Sequence, residues 1–300
     1  MMNQHTLKSA CSFSGRGLHT GKPVNVKICP APVDTGIVFV RTDLGGARVP
    51  ALATNVRSTR RSTQLAVGRA KVGTVEHVLS ALTGLGIDNA VVELDNVEMP
   101  ILDGSAKLYT EAIEAVGTVD QGVPRKWIKL KKEIIVRNEK KGAWIKVTPA
   151  GEPGVELTID FPSKVLGKQT VNLVMGESYA KEVAPCRTFC FLQEIMPQLM
   201  LGLIKGGDVS NAIVIIDKPV SRCRMSRLAR ILRKDVPEVL QPGFMAEGGL
   251  RFPNECARHK LLDLIGDIRL CGGIPSFRIE AYKAGHRLNT AAAKEILKNL

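Results

Sequence analysis

The segment RHKLLDLIGD, residues 258–267, carries one imidazole and two carboxylates at a spacing that suits joint chemistry. His259, Asp263 and Asp267 follow one another at intervals of four residues. On an α-helix of about 3.6 residues per turn they share one face, and the leucines and isoleucines between them lie opposite. Side chains four positions apart approach to about 5–6 Å, close enough for two of them to bind one metal ion. A salt-bridged His–Asp pair on a solvated face is the alternative that this segment alone favours.

A second pair of residues that could take part in metal binding or catalysis lies in TVEHVLSAL, residues 74–82, where Glu76 precedes His77. If the two helices pack together, His77 joins His259 and Asp263. Two imidazole nitrogens and one carboxylate oxygen suit a catalytic zinc that keeps its fourth position open for water. Glu76 would then lie beside a ligand and could serve as the general base for that water. A surface histidine with an unrelated glutamate is the alternative for this motif alone.

The elements that must position these residues recur in the same order in the two halves of the chain. The first half predicts a helix, a strand and a helix at 73–86, 87–95 and 106–117. The second half predicts the same succession at 254–270, 276–284 and 289–300. Runs typical of strands precede each succession, at 22–29 and 35–42, and at 126–138, 143–149, 155–162 and 210–217.

This repetition predicts an α+β fold of two domains with related topology. Glycine, proline and charge interrupt the pattern in GTVDQGVPRK, residues 117–126, so we expect the domains to span residues 1–121 and 122–300. In each domain a helix layer would pack on a β-sheet, and the helices would meet at the domain interface. His77 and His259 lie at comparable points of the repeat and would meet there, where ligand sites often occur.

Size and composition are those of a folded chain without membrane spans. The 300 residues are 44% hydrophobic, which is ample for packed cores. No apolar run approaches the roughly 20 residues that cross a bilayer, and the N-terminus lacks the apolar centre of a secretory signal. The 7 cysteines are odd in number and form no CxxC pair, which predicts reduced thiols. We expect a cytoplasmic monomer, or an organellar one if the source is a eukaryote.

The net charge of +13 favours an anionic partner: nucleic acid, a phospholipid headgroup or a phosphorylated small molecule. Aromatic residues make up only 4% of the chain, which argues against a base-stacking surface for single strands. A duplex backbone stays open as a partner on charge alone.

Eight blocks of sequence are spread in order along nearly the whole chain: GRGLHTG (15–21), TVEHVLSAL (74–82), GIDNAVVEL (86–94), PILDGSA (100–106), CRTFCF (186–191), GLIKGGDVSNAIV (202–214), LRFPNECARHKLLDLIGD (250–267) and AYKAGH (281–286). Together they resemble the UDP-3-O-acyl-N-acetylglucosamine deacetylases, the zinc enzymes that commit the pathway to lipid A. Several blocks at compatible spacing are far more specific than any one of them.

The resemblance implies zinc-dependent hydrolysis of the N-acetyl group of UDP-3-O-(3-hydroxyacyl)-N-acetylglucosamine, with release of acetate. It implies zinc ligands at His77, His259 and Asp263 and a general base at Glu76, in agreement with the ligand count above. Iron(II) suits the same two histidines and one carboxylate, so either ion fits the pattern.

The resemblance also assigns residues that stabilise charge during the reaction. Thr188 resembles the family's threonine that donates a hydrogen bond to the oxyanion beside the metal. His286 resembles the histidine held as a cation, which stabilises the tetrahedral intermediate and protonates the departing amine. Asp267 would pair with His286 and keep it charged, which gives the third polar residue of the 258–267 segment a role.

Further positions match residues that the family places near its substrate. Lys260 and Lys283 would lie near the substrate, the latter toward the diphosphate, and Asp160 with Phe161 would contact the uracil end. His19 resembles a histidine near the site entrance, and a structural role in its glycine-flanked turn is an equal alternative. Apolar residues that could equally pack in the core would line the acyl-chain passage: Phe189, Phe191, Ile195, Leu203 and Ile204.

One segment departs from the family pattern. Residues 218–249 intervene where the family usually has a short connection, and arginines recur there at every third position: Arg224, Arg227, Arg230 and Arg233. This spacing, with leucine and isoleucine between, predicts a short basic amphipathic helix. Such a helix is solvated by default, and peripheral contact with an anionic membrane is the alternative.

Two other classes of protein remain as alternatives at the level of sequence. A basic nucleic-acid-binding protein would explain the charge, but no helix-turn-helix, RNP-like or zinc-finger signature is present, and the two histidine helices would have no role. A catalytically inactive family scaffold would lack part of the machinery, yet candidates for metal ligands, base, acid and oxyanion donor are all present.

Overall fold

The structure is a computed structural model that describes residues 2–150, 152–174, 178–200, 205–221, 226 and 241–300, with backbone alone at 198–200. Two residues predicted to line the acyl passage, Leu203 and Ile204, lie outside the described residues. Most of the arginine-rich part of the 218–249 segment lies outside them as well, so its predicted basic helix and membrane contact stay predictions.

The N-terminal half contains most of the short strands. They are β1 (Asn3–Leu7), β2 (Cys11–Arg16), β3 (Pro23–Pro30), β4 (Ile37–Arg41), β5 (Ala47–Pro50), β6 (Val56–Ser58), β7 (Gln64–Val67), β8 (Ala70–Gly73), β9 (Ala90–Leu94) and β10 (Thr118–Pro124). The helices described in this half are α1 (Glu76–Gly84) and α2 (Lys107–Val116).

Within the described residues, the C-terminal half has fewer strands, and two of its helices are longer than those of the N-terminal half. Its strands are β11 (Ile134–Asn138), β12 (Ala143–Pro149), β13 (Gly154–Asp160), β14 (Lys168–Val174), β15 (Phe189–Phe191), β16 (Ile213–Ile216), β17 (Gly243–Met245) and β18 (Phe277–Tyr282). The described helices are α3 (Tyr179–Glu182), α4 (Leu192–Met200), α5 (Glu255–Ile268) and α6 (His286–Lys298).

The two halves share one sheet topology. The first has a five-stranded sheet in the order β2-β3-β9-β4-β5, and the second has one in the order β11-β12-β18-β13-β14. In each sheet the late strand, β9 or β18, pairs antiparallel to one neighbour and parallel to the other. The predicted α+β fold with two units of related topology is confirmed.

Alternating burial explains how each sheet carries its helices. In β3 the side chains of Val24, Val26 and Ile28 are buried, whereas the polar residues between them are exposed. In β12 the inward positions are Ala143, Ile145 and Val147. A two-residue period of this kind gives each sheet one apolar face, which packs against the helix layer.

The helix layers of the two halves meet through α1 and α5, as predicted. Gly266 of α5 makes this approach possible, because a Cβ atom built there would lie 2.0 Å from the carbonyl oxygen of Glu76. Both helices are almost entirely buried. Side chains at their N-terminal ends are therefore held in the interior between the two sheets.

Several predicted element boundaries are corrected by the structure. The last helix begins at His286 rather than at residue 289, since Leu288 turns its side chain into the core. The predicted strand 126–138 shortens to β11 because its partner β12 ends at Pro149, which has no N–H to donate.

The segment 117–126 also differs from the expected interruption, because Thr118–Pro124 forms β10 and pairs antiparallel with β1. The N-terminus is thus tied to the segment that precedes the second half. A domain boundary at 121/122 stays a prediction.

The described cysteines and helices agree with the prediction of reduced thiols and of a chain without apolar membrane-spanning runs. The described cysteines are free, with no disulfide between them: Cys11, Cys29, Cys186, Cys190, Cys256 and Cys271. None of the described helices has the length and apolar character needed to cross a bilayer.

Candidate active site

The three predicted metal ligands meet at the contact between α1 and α5. One possible ligand atom from each of His77, His259 and Asp263 lies within 4.8 Å of the others. The Asp263 Oδ1 atom is 3.3 Å from His259 Nε2 and 3.9 Å from His77 Nε2. Their exposed fractions are 5%, 1% and 2%, so the solvated salt bridge considered for the 258–267 segment is wrong. The arrangement is a buried pocket of two imidazoles and one carboxylate.

The imidazoles are oriented and kept neutral by their surroundings. His259 Nδ1 lies 3.0 Å from the Cys186 carbonyl oxygen, which accepts its proton and leaves the lone pair on Nε2. Burial, followed by the proximity of His259, lowers the pKa of His77 to about 3. Burial also lowers the pKa of His259. Neutral imidazoles are the form that binds a metal ion.

Asp263 is ionised in spite of its burial. Burial alone would raise its pKa, but Lys260 and the nearby histidines hold the pKa well below the usual range. The Lys260 ammonium donates to Asp263 Oδ2 at 2.7 Å, which leaves Oδ1 on the side of the two imidazoles. Lys260, predicted to lie near the substrate, is thus also a direct partner of a predicted ligand.

A second cluster adjoins the first and contains the predicted base and acid. His286 Nε2 lies 3.9 Å from Glu76 Oε1 and 3.9 Å from Asp263 Oδ2. His286 Nδ1 donates to Asp267 Oδ2 at 2.9 Å. The Nε2 atom of His286 therefore points toward Glu76 and Asp263.

Burial and charge set the protonation of this second cluster. Burial raises the pKa of Glu76, and Asp267 and Asp263 add to the effect while His286 opposes it. Burial would lower the pKa of His286, but Asp267, Asp263 and Glu76 outweigh it and raise the pKa to about 9. The site therefore favours a cationic His286 beside a carboxyl group with raised proton affinity, which is a pairing suited to acid–base chemistry.

Asp267 is held by more than His286. Its Oδ1 accepts the Thr63 hydroxyl at 2.5 Å, and its Oδ2 accepts the Asn289 amide at 2.9 Å. The backbone N–H of Thr63 also donates to Glu76 Oε2 at 3.0 Å. Neither Thr63 nor Asn289 was predicted from the sequence, because each acts across the fold and belongs to no spacing pattern.

The two clusters open into a cavity of about 550 Å³. Most predicted site residues line it: His19, Glu76, His77, Phe161, Thr188, Phe189, Phe191, Ile195, His259, Lys260, Asp263 and His286. Phe161 makes edge contacts with Phe189 at a ring-centre distance of 5.8 Å and packs on Phe191 at 5.4 Å. One region of the wall is thus apolar and adjoins the ionisable groups, because the Phe189 ring lies 6.5 Å from the His259 ring and 5.5 Å from Lys260 Nζ.

Two predicted substrate residues lie together but are not among the residues that line this cavity. Lys283 Nζ is 3.1 Å from Asp160 Oδ2, and the Tyr282 hydroxyl donates to the same carboxylate at 2.5 Å. The hydrogen bond from Tyr282, followed by that from Lys283, lowers the pKa of Asp160. This exposed group neighbours Phe161, which does line the cavity.

Thr188 is fixed by its backbone and leaves its hydroxyl without a hydrogen bond in the described part of the chain. Its N–H donates to the Gly104 carbonyl at 2.8 Å, and its carbonyl accepts the Ile213 N–H at 2.8 Å. The preceding Arg187 is 1% exposed and pairs with Glu255 at 2.9 Å. This buried ion pair ties the 186–188 segment to the first turn of α5.

His19 is held by a buried carboxylate that sequence reasoning missed. Glu98 accepts the backbone N–H groups of His19 and Thr20, each at 2.9 Å, and the Thr20 hydroxyl at 2.7 Å. It also accepts the hydroxyl of Thr74 at 3.1 Å, beside the start of α1. His19 therefore belongs to a structurally fixed turn and also lines the cavity.

Comparison with known proteins identifies relatives along the whole chain. The family model described as LpxC: UDP-3-O-acyl N-acetylglycosamine deacetylase matches residues 4–229 and 238–298. The UDP-3-O-acyl-N-acetylglucosamine deacetylase of Acidithiobacillus ferrooxidans is 40% identical over 301 residues, covering 99% of this chain and 90% of that protein.

Relatives of another architecture are equally similar. The bifunctional enzymes LpxC/FabZ of Porphyromonas gingivalis and Bacteroides thetaiotaomicron are each 40% identical over 301 residues and match 100% of this chain. This chain spans 65% of the length of each of these two proteins.

Proposed function

Because this chain belongs to the UDP-3-O-acyl N-acetylglycosamine deacetylase family, we propose that it hydrolyses the N-acetyl group of UDP-3-O-(3-hydroxyacyl)-N-acetylglucosamine. The products are acetate and the free amine of the nucleotide sugar, in the step that commits this substrate to lipid A. The observation that carries the proposal is the convergence of a metal-ligand set, a carboxylate base and a cationic histidine at one cavity.

The donor set fits a zinc ion. His77 and His259 offer neutral imidazoles, Asp263 offers an ionised carboxylate, and their donor atoms lie within 4.8 Å of one another in a buried site. When bound, zinc supplies a Lewis acid that polarises the amide carbonyl and lowers the pKa of water to about 7. The Cys186 carbonyl accepts a hydrogen bond from His259, and Lys260 donates one to Asp263. These contacts orient the two side chains and support their use as ligands.

Glu76 acts as the general base. Its Oε2 atom is fixed by the Thr63 N–H, and Oε1 lies toward His286 at the cavity wall. As water attacks the acetamide carbon, Glu76 accepts the proton and the carbonyl oxygen becomes an oxyanion. Burial raises the proton affinity of Glu76, and the His286 cation opposes this effect and favours the ionised form that a base requires.

His286 and Thr188 stabilise the developing charge. The Thr188 hydroxyl donates to the oxyanion, and the His286 cation lies close enough to stabilise the tetrahedral intermediate. When the C–N bond breaks, His286 Nε2 donates its proton to the departing amine. His286 Nδ1 keeps its proton and donates it in a hydrogen bond to Asp267, which holds the imidazole in the orientation that presents Nε2.

The cavity wall divides the substrate contacts by polarity. Phe189 and Ile195 provide apolar surface for the acyl chain, and Phe161 with Asp160 contacts the uracil end. Lys283 neutralises part of the diphosphate charge from its position beside Asp160. The +13 charge of the chain is consistent with a substrate that carries a diphosphate.

Acetate release from the acylated UDP-sugar tests the function directly. Metal-stripped protein is expected to be inactive and to recover turnover on addition of one equivalent of zinc, and iron(II) serves as the competing ion. UDP-N-acetylglucosamine without the acyl chain is the matched control substrate and should turn over far more slowly. Full turnover by protein that contains no transition metal would contradict the proposal.

A further inference from the structure

The loop between β6 and β7, residues 59–63, ends at a buried threonine that contacts both halves of the acid–base machinery. Thr63 is 0% exposed. Its contacts reach Glu76, 13 positions along the chain, and Asp267, 204 positions along the chain. It is thus the point at which one loop of the N-terminal half touches both α1 and α5.

The backbone of Thr63 fixes the base. Its N–H donates to Glu76 Oε2 at 3.0 Å, and its carbonyl accepts the N–H of Val75, the residue before α1, at 3.4 Å. With Oε2 engaged, Oε1 is the oxygen that lies 3.9 Å from His286 Nε2. The carboxylate of Glu76 is therefore held in one orientation by a rigid backbone donor.

The hydroxyl of Thr63 holds Asp267, the hydrogen-bond partner of the acid His286. It has a single proton, which it donates to Asp267 Oδ1 at 2.5 Å, while Oδ2 accepts from His286 Nδ1 and Asn289. A carboxylate accepts only, so these three donors determine its rotation. The Thr63 oxygen also lies 3.5 Å from His286 Nδ1 and closes the network on that side.

We propose that Thr63 is a positioning residue that sets the distance and orientation between the base Glu76 and the acid His286. The inference rests on the proposed deacetylase function for its kinetic consequence and on the contacts above for its geometry. One residue holds both groups, one through its backbone and the other through Asp267. Loss of the hydroxyl leaves the backbone contact with Glu76 in place and frees Asp267 Oδ1. His286 is then displaced relative to Glu76 by a fraction of an ångström through its contact with Asp267.

The decisive variant is Thr63→Val, which keeps the shape of the side chain and replaces the hydroxyl with a methyl group. We expect kcat to fall roughly 10- to 100-fold with KM little changed, because the variant loses transition-state alignment and not substrate contacts. Thr63→Ser restores the hydroxyl and should recover most of the lost kcat. Bound zinc should stay at the wild-type ratio in both variants.

Thr110→Val is the matched control for loss of a buried threonine hydroxyl. Thr110 is 2% exposed, and its hydroxyl donates to the carbonyl of Ala106, the residue before α2, and not to the acid–base groups. Its kcat should equal that of the wild type. The positioning role is overturned if Thr63→Val keeps kcat within twofold, if Thr63→Ser is as impaired as Thr63→Val, or if Thr110→Val loses as much.

A nuclear magnetic resonance measurement separates this inference from the proposed activity. The Nδ1 proton of His286, assigned by its disappearance in His286→Gln, should shift in Thr63→Val and stay in place in Thr110→Val. An unmoved signal in Thr63→Val overturns the positioning role even where turnover falls. If the wild type releases no acetate, the deacetylase proposal fails, and the shift of this proton still decides whether Thr63 controls the Asp267–His286 pair.

Discussion

Helices α1 and α5 occupy the same place in two repeated folding units, yet they contribute differently to the site. His77 and His259 are the corresponding histidines, and a glycine follows each after seven residues, Gly84 in α1 and Gly266 in α5. Both glycines allow a close approach: to the ring of Tyr179 in the first case and to the backbone of α1 in the second. A glycine at the corresponding position therefore allows close packing of the helix in both halves.

The acids are not repeated. At the positions four and eight residues after the histidine, the first half has Ala81 in α1 and Leu85 directly after it, whereas α5 has Asp263 and Asp267. Each group of described side chains able to hold a metal ion includes Asp263. Two similar units thus build one site. In the proposed mechanism α5 gives the carboxylates that bind metal and orient the acid, and α1 gives one imidazole and the base.

Adjacent residues on a helix reach different clusters of the site, whereas residues one turn apart reach the same cluster. Glu76 and His77 are neighbours, so their side chains diverge by about 100° around the helix axis and reach different clusters. His259 and Asp263 lie one turn apart and reach the same cluster. The following variants test this division, from the largest expected effect to the smallest.

Removal of the shared imidazoles should have the largest effect. His77→Ala and His259→Ala each delete one ligand from a different helix, so both are expected to lose bound zinc and to lower kcat/KM by about 10³-fold or more. Metal analysis beside acetate release measures both quantities. His5→Ala, which changes a histidine outside the site, is the control, and retention of zinc by either ligand variant would refute the shared-site comparison.

Removal of the base or the acid should affect turnover without affecting the metal. Glu76→Gln and His286→Gln are expected to lower kcat by about 10²- to 10⁴-fold, since each removes one proton-transfer group. The zinc content should stay at the wild-type ratio. If either variant loses zinc together with activity, the separation between ligands and proton-transfer groups is wrong.

Substitution of the two helix glycines should affect the stability and the turnover of the protein to different degrees. Gly266→Ala drives a Cβ into the Glu76 carbonyl, so we expect the free energy of unfolding to fall by about 2–3 kcal/mol and kcat to fall as well. Gly84→Ala meets a side chain, the Tyr179 ring, and should leave kcat closer to that of the wild type. Denaturant unfolding measures the loss of stability, and acetate release measures kcat. Gly73→Ala is the control, because its added Cβ meets only ordinary contacts. Equal kcat values for both helix variants would contradict the asymmetry.

The smallest expected effect is a change in pH dependence. Burial alone would lower the pKa of His286, but the surrounding carboxylates raise it to about 9, so the cation is lost as pH rises through that value. Asp267→Asn removes the nearest negative charge and lowers this pKa, which moves the basic limb of the kcat/KM profile to lower pH. Asp95→Asn, at an exposed position, should leave that limb in place, and an unmoved limb in Asp267→Asn would argue against the role of Asp267.

The sequence predicted the repeated topology and the proposed ligand set from the periodicity of the elements and from their order along the chain. The order of helix, strand and helix came from periodicity, and the pairing of His259 with Asp263 came from residues one turn apart. The meeting of His77 and His259 followed from the comparable positions of their helices in the repeat. The structure contains two five-stranded sheets with the same strand topology and a buried cluster of His77, His259 and Asp263.

Other parts of the site had no sequence signal because they depend on contacts between distant segments. Thr63 touches Asp267 only after the loop before β7 docks on α1 and α5. Glu98 holds the turn that carries His19, and neither position predicts the other. The starting residue of α6 was likewise missed, since burial of Leu288 depends on the fold around it.

By itself, the amino-acid sequence determined that His259, Asp263 and Asp267 share one helix face, because helical spacing fixes which side chains lie together. The role proposed for His286 came from the resemblance to the family. Only the tertiary structure decided that this polar face is buried rather than solvated. It does so by packing α5 against α1 at Gly266, and desolvation there shifts the pKa values of Glu76 and His77. Spacing along one helix is a local property, whereas burial depends on every segment that packs around it.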